Sequence, residues 1–305
     1  DEDKLVRAFQ DKQVDAMSGL SSAPEDISES RSEQYDIPVT SQVMVFFKTT
    51  QEVLKDPAVR KALVLAADKQ SIIKSLDYPL IQIDQPLLRS QVGYDKNYAQ
   101  VTNNLVEANA ALDAAGWVRD PVTKMRVKDG KKLGFKLFSA ATSEFTSVTG
   151  ALQQQWRELG VEVEVVLQSD EELQASVSTH NYDALLYGIS LGVDPDVYPY
   201  WHSTQFDPRA DTRLNLSEYN SPAADRALEA GRTRSDPALR SVKYRPFLEA
   251  WRNVAPARGL YKPRYLYIAN DTLKGFDPKV VHSPADRYND VHEWTVRRAA
   301  QTQQE

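Results

Sequence analysis

Residues 134–189 read GFKLFSAATSEFTSVTGALQQQWRELGVEVEVVLQSDEELQASVSTHNYDALLYGI. GFKLFSA has the make-up of a strand. Ser143 to Leu159 then carries a helical pattern that Gly160 stops, since glycine readily adopts the left-handed conformation a helix end needs. VEVEVVL (Val161 to Leu167) alternates apolar and polar residues and predicts a second strand. Asp170 to Ser178 predicts a short helix. YDALLYGI (Tyr182 to Ile189) is almost continuously apolar, as a strand covered on both faces should be. Strand and helix therefore alternate through this block, which predicts an α/β layer architecture with mixed sheets flanked by helices.

The flanks extend the pattern. Asp1 to Gln13 predicts an amphipathic helix, Val14 to Met17 a short strand, and a further helix can follow Ala23-Pro24. Ile37 to Lys48 (IPVTSQVMVFFK) is rich in β-branched and aromatic residues and predicts a strand pair or one long strand. Asp56-Pro57 opens a helix, with Asp56 able to cap and Pro57 suited to the first turn. Its apolar stripe of Val59, Ala62, Leu63, Ala66 and Ala67 runs on toward Ile73. Tyr78 to Tyr98 is irregular and long enough to be a functional loop or an extended crossing segment. Asn103 to Ala115 predicts a helix ended by Gly116, and Val118 to Ser139 a hairpin with turns at Asp120-Pro121 and Asp129-Gly130. Gly192 to Ala210 has loop character. Ser221-Pro222 and Asp236-Pro237 each start a helix, the second kinked or divided by Pro246. Arg264 to Ala269 predicts a strand, and the tail after Trp294 should fray.

The 305 residues are 41% hydrophobic and 26% charged, with a formal net charge of -6. These are ordinary values for a globular protein. Charges of both signs are interspersed, so no basic face points to nucleic acid. There are no cysteines, which excludes disulfides and thiolate chemistry. No apolar run approaches the roughly 20 residues of a bilayer span. The opening DEDKLVRAFQ lacks a charged-then-apolar export pattern. Either the protein is cytoplasmic or the sequence starts downstream of an export signal.

Few residues suggest chemistry. His180, His202, His282 and His292 are scattered without metal-ligand spacing, and neither GxSxG nor a glycine-rich phosphate loop occurs. The best enzymatic hint is the carboxylate pair Asp194 and Asp196, beside Tyr198, Tyr200 and Trp201, as in a glycoside hydrolase cleft. The same DPD stretch also reads as a turn, because Asp-Pro favours turn initiation. VDPDVYPYWHSTQF (Val193 to Phe206) could line a ligand cavity or fill the core beneath a loop. Tyr187, Tyr198, Tyr200, Trp201 and Tyr219 are the candidate lining aromatics.

Seven segments, in order, resemble the family 5 extracellular solute-binding proteins, which include oligopeptide-, dipeptide- and nickel-binding proteins of ABC importers. They are LVRAFQDKQVDAMSGL, DPAVRKALVLAADKQSII, ANAALDAAGW, QQQWRELGVEVEVV, NYDALLYGISLGVDPDVYPYWHSTQF, YNSPAADRALEAGRTRSDPALRSVKY and RGLYKPRYLYIANDTLKGF. The resemblance implies a periplasmic-binding-protein-like (type II) lobe with part of the second lobe. Residues 1–45 and 264–305 would belong to the first lobe and 46–263 to the second, with hinge crossings near Phe46-Phe47-Lys48 and Tyr261-Lys262-Pro263. It implies a monomer without enzyme activity or cofactor, which captures an extended peptide or peptide-like solute and hands it to a membrane permease. It also implies an extracellular or periplasmic lipoprotein, anchored through an N-terminal segment absent from this sequence.

By the same resemblance, Gly188, Ile189, Ser190, Leu191 and Gly192, leading to Asp194, line the ligand cleft. An extended peptide could pair with the backbone there as an added strand. Three departures bear on the solute. Ile189 stands where oligopeptide binders usually have Trp, Leu186 where some carry a charge-pairing Arg, and Gly192-Val193 where an Asp often meets the peptide ammonium. Losing such a charged hydrogen bond costs about 1.5–3 kcal/mol. The departures therefore weigh against recognition of a peptide's N-terminal amine.

Overall fold

The computed structural model describes residues 2–20, 23–24, 27, 32–76, 80–192, 194, 196–210, 212–277 and 284–296. In chain order the elements are α1 (Glu2–Gln10), β1 (Ala16–Ser18), β2 (Ser32–Pro38), β3 (Ser41–Phe47), α2 (Pro57–Ala66), α3 (Lys69–Ser75), β4 (Ile81–Gln82), α4 (Leu105–Ala114), β5 (Val118–Arg119), β6 (Arg126–Lys128), β7 (Lys131–Lys132) and β8 (Gly134–Ala140). There follow α5 (Ser143–Glu158), β9 (Glu162–Gln168), α6 (Asp170–Thr179), β10 (Ala184–Ser190), α7 (Tyr198–Trp201), α8 (Pro222–Arg232), α9 (Pro237–Val254), β11 (Ala257–Lys262), β12 (Arg264–Asn270), β13 (Leu273–Lys274) and β14 (Thr295–Val296). They form two compact units, Ser41–Lys262 and Asp1–Thr40 with Pro263–Glu305.

The unit Ser41–Lys262 is built on a six-stranded mixed sheet, β4-β11-β3-β10-β8-β9. β3 runs antiparallel to both β10 and β11, while β8 runs parallel to β10 and β9. Successive side chains of a strand face opposite sides, and β3 shows it. Val43, Val45 and Phe47 pack in one core with Leu63, Leu137, Trp156 and Leu186. Met44 and Phe46 pack in the other with Leu185, Trp201, Phe247 and Trp251. The sheet is therefore covered on both faces. Apart from the short α7, the helices of this unit begin at side-chain caps, Asp56 accepting from the Ala58 amide at 2.9 Å and Ser169 forming a reciprocal capping box with Glu172.

The unit of Asp1–Thr40 with Pro263–Glu305 holds a three-stranded antiparallel sheet, β1-β12-β2, and the small pair β13-β14. Phe9, Met17, Leu20, Ile27, Leu266 and Ile268 form one of its cores. Ile37, Tyr265, Tyr267 and Ala269 form the second.

Several expectations change. Ile37 to Lys48 is neither one strand nor a pair: β2 ladders to β12, whereas β3 ladders to β10 and β11. The division between units accordingly falls at Thr40/Ser41 rather than at 45/46, because all of β3 is tied into the larger sheet. The helix begun at Asp56 breaks at Ala67, where Asp68 turns to cap α3. Val118 to Ser139 is a three-stranded sheet, β5-β6-β7, followed by β8 of the main sheet. Pro246 does not divide α9, which is continuous through it. The tail expected to fray after Trp294 begins instead with β14, Thr295–Val296, paired to β13; the rest of that tail, and most of the stretch where a helix is expected after Ala23-Pro24, lie outside the described residues.

Candidate functional site

The candidate residues cluster where the carboxyl ends of β8 and β10 meet the start of β3, the usual place for a ligand crevice in α/β sheets. Along β10, Ala184, Leu185 and Leu186 are buried, Tyr187 is half-buried, Gly188 and Ser190 are exposed, and Ile189 is buried again. β3 ladders to the whole of β10, from Ala184↔Phe47 to Ser190↔Ser41. β8 pairs with it only at Ala184 and Leu185. From Leu186 onward β10 therefore has one laddered edge. A side chain added at Gly188 would meet no atom within 4 Å, so packing does not require glycine there; its effect is to leave the main chain bare.

Hydrogen bonds hold this end in place. Gln174 Nε2 donates to the Tyr187 hydroxyl at 3.0 Å, and the Tyr200 hydroxyl donates to the Ser190 carbonyl at 2.6 Å. Burial raises the Tyr200 phenol above its ordinary value and keeps it protonated as that donor. Gln91 Nε2 donates to the Gly192 carbonyl at 3.1 Å, which straps the 80–100 loop to the end of β10.

Not every candidate joins the group. Trp201 is fully buried, stacked on Phe46 at 5.7 Å between ring centroids and edge-on to Trp251 at 5.6 Å. Tyr219 is also fully buried, and burial pushes its phenol up to about 12. Ile189 and Leu191 face the same core. These four offer no surface to a solute in this conformation. Tyr187, Gly188 and Ser190 do, and Tyr198 and Tyr200 remain half-buried beside them.

The carboxylate pair has a structural role. Asp194 binds Arg240 of α9, and Asp196 binds Arg232 of α8 at 2.8 Å. Asp194 pushes the Arg240 guanidinium above its ordinary value. Arg232 also lies over the Tyr198 ring, 4.3 Å from its centroid. Each carboxylate has its own guanidinium, so neither is free to deliver a proton to a glycosidic oxygen. The pair pins the loop to two helices instead.

His180 and His202 are buried with partners, Glu218 and Thr204 among them, and His292 is exposed. His282 lies outside the described residues. Among the described residues no group of three or more His, Cys, Asp or Glu could hold a metal ion, and no helix is long and apolar enough to cross a membrane.

Sequence reasoning did not anticipate a cavity of about 210 Å³ in the same unit, lined by Ile81, Ile83, Leu87, Leu88, Tyr94 and Lys262 among others. The irregular stretch from Tyr78 to Tyr98 was its only signal.

Residues 1–209 match the family model for bacterial extracellular solute-binding proteins, family 5 Middle. The chain belongs to that family, one of solute-binding proteins and not of enzymes. It is 26% identical over 264 residues to the oligopeptide-binding protein AppA of Bacillus subtilis, covering 85% of this chain and 47% of that protein. It resembles the structure of NikZ from Campylobacter jejuni in complex with Ni(L-His), with a TM-score of 0.86 and 25% identity, over 97% of this chain and 60% of that one. The structure of AppA from Bacillus subtilis in complex with a nonapeptide gives a TM-score of 0.82 at 22% identity, over 98% and 59%. The periplasmic-binding-protein fold is thus shared, and the chain spans about half the length of the curated relative it matches over most of its own length.

Proposed function

We propose that this chain is part of a solute receptor of an ABC importer. In this reading the protein captures an extended peptide or peptide-like solute between two lobes, Ser41–Lys262 supplying one of them. It works outside the cytoplasm, anchored at the membrane, and delivers its solute to a permease. The observation that carries the reading is the end of β10. There, an otherwise buried strand runs past its last pairing with β8 and presents Gly188 and Ser190 to solvent. An extended chain gains main-chain hydrogen bonds by adding to such a strand. Tyr187, Tyr198 and Tyr200 are the aromatic surfaces beside it. Trp201, Tyr219, Asp194 and Asp196 act behind the site by holding its loop.

The peptide part of the proposal draws on the relative bound to a nonapeptide. The nickel complex in another relative supplies the competing solute class. The deciding experiment is a thermal-shift and calorimetric comparison on the full-length protein, using short peptides and Ni(II)-histidine. A peptide that binds the folded state alone adds about 2.7 kcal/mol of stability at one hundred times its Kd. A shift with Ni(II)-histidine and none with peptides would replace the solute class. No shift with either would remove the receptor reading.

A further inference from the structure

β9 is an outer strand of the six-stranded sheet and is seven residues long, whereas β4 at the other edge has two. Hydrogen bonds fix which of its main-chain groups point outward. The Glu162 amide donates inward to the Leu133 carbonyl, and the Gln168 carbonyl accepts inward from the Ala141 amide, each at 2.9 Å. Successive residues of a strand direct these groups to opposite edges. The even-numbered residues of β9 are therefore spent on β8, and Val163, Val165 and Leu167 turn their amides and carbonyls away from the sheet. Among the described residues one of these groups is taken: Gln153 Nε2 donates to the Val163 carbonyl at 2.8 Å. A carbonyl has a second lone pair to offer.

Open edges of this kind are normally blunted by proline, a bulge or charge. β9 has no proline, and its register against β8 is unbroken. Its charged residues, Glu162 and Glu164, are matched by lysines of the same chain, Lys132 at 3.7 Å and Lys136 at 3.3 Å.

The strand also complements itself. Pairing two copies antiparallel about Val165 sets outward residues opposite outward residues, Val163 against Leu167 and Val165 against Val165. The same register sets Glu164 against Val166 and Glu162 against Gln168, so no carboxylate faces another. Sliding one copy so that the pairing centres on Glu164 would oppose two carboxylates, which is unfavourable. Opposed residues share a face of the sheet, so Leu167, 41% exposed, would lie over Val163 of the second copy. A groove of about 380 Å³ opens at that point, lined by Met125, Gln153, Arg157, Val161 and Val163 among others. A surface that carries both an exposed apolar side chain and the groove to receive it can form an isologous contact.

We propose that β9 is a self-association edge, at which a second copy of this chain continues the six-stranded sheet and each copy's Leu167 enters the other's groove. The family resemblance implies a monomer, so this inference goes beyond the receptor reading and does not depend on it.

The test is sedimentation velocity on the full-length protein over a dilution series. A contact of one strand pair lies at the small end of protein interfaces, so the expected dimer is weak and dissociates on dilution. Hydrogen exchange in residues 163–167 should slow as concentration rises. Val166 belongs to neither large core, so variants there should fold, as circular dichroism would check. Val166→Glu sets a carboxylate against Glu164 and should weaken the dimer about fivefold, whereas Val166→Lys sets an ammonium there and should tighten it by about as much. Leu167→Ser empties the groove and should also weaken it. A monomer at every concentration up to about 1 mM, or a dimer indifferent to the sign of the charge at position 166, would overturn the proposal and leave the receptor reading standing.

Discussion

Glu218 sits at the end of the sheet opposite the candidate site, near the start of β10 and the end of β3. Lys48 Nζ lies 3.5 Å from its carboxylate and donates to the His180 carbonyl at 2.8 Å. His180 Nδ1 is 3.2 Å from the same carboxylate, and Thr50 donates to it as well. His180, Arg213 and Glu218 all have positive φ, at 55°, 44° and 49°. Non-glycine residues persist in that region only where their surroundings over-determine it. Burial works to raise the Glu218 carboxyl, but the hydrogen bonds of His180 and Thr50 and the charge of Lys48 outweigh it and hold the group at about 2. A carboxyl lowered in the folded state stabilises at pH above its ordinary value, here 4.5, and that stability is lost as pH falls through the folded value of about 2. Glu218→Gln should therefore cost of order 1–2 kcal/mol at neutral pH, after allowing for solvent screening. It should also flatten the acid limb between about pH 4.5 and 2. Urea unfolding across that range checks it, and an unchanged acid limb in the variant would assign the titration elsewhere. Nothing in the sequence marked Glu218, because its partners His180 and Thr50 are 38 and 168 residues away. Such a cluster has no local signature.

Among the elements, starts were legible and interruptions were not. Asp56-Pro57, Ser221-Pro222 and Asp236-Pro237 announce α2, α8 and α9 because one residue caps and the next has its φ preset. The break at Ala67-Asp68 was hidden because the apolar stripe continues across it. The candidate strand was legible as far as β10 itself, while its free edge depends on where β8 stops pairing, a tertiary fact. The depth of Trp201 and Tyr219 is likewise decided by α8 and α9 closing over them. Those two helices meet at Gly231, where an added methyl carbon would lie 2.7 Å from Cδ1 and Cζ of Tyr244. Replacing a helical glycine by alanine ordinarily gains about 1 kcal/mol. Here the Tyr244 ring is fully buried and also packs on Gly93, at 2.9 Å from the corresponding position. Overpacking of about 1–3 kcal/mol should prevail. Gly231→Ala is expected to lower stability by up to about 2 kcal/mol net, measured by thermal unfolding. A raised melting temperature would mean that the Tyr244 ring can move aside.

For the whole molecule, the distribution of core residues is the controlling fact. Every residue of the two larger cores lies between Val43 and Tyr261. The two smaller ones draw only on residues before Thr40 or after Pro263. The chain passes between the units at Thr40/Ser41 and again at Lys262/Pro263. The larger unit is thus continuous in sequence and owns its hydrophobic interior. The smaller one is assembled from two distant stretches, and the larger holds its own ends, β3 and β11, side by side. Ordering the smaller unit without that closure would carry the entropy of a long loop. Residues 41–262 alone should therefore fold cooperatively, with far-UV and near-UV circular dichroism melting together, since Trp156, Trp201 and Trp251 all sit in the two cores. Far-UV signal without the near-UV bands would indicate a collapsed state lacking fixed packing. That result would mean the larger cores need the remainder of the chain.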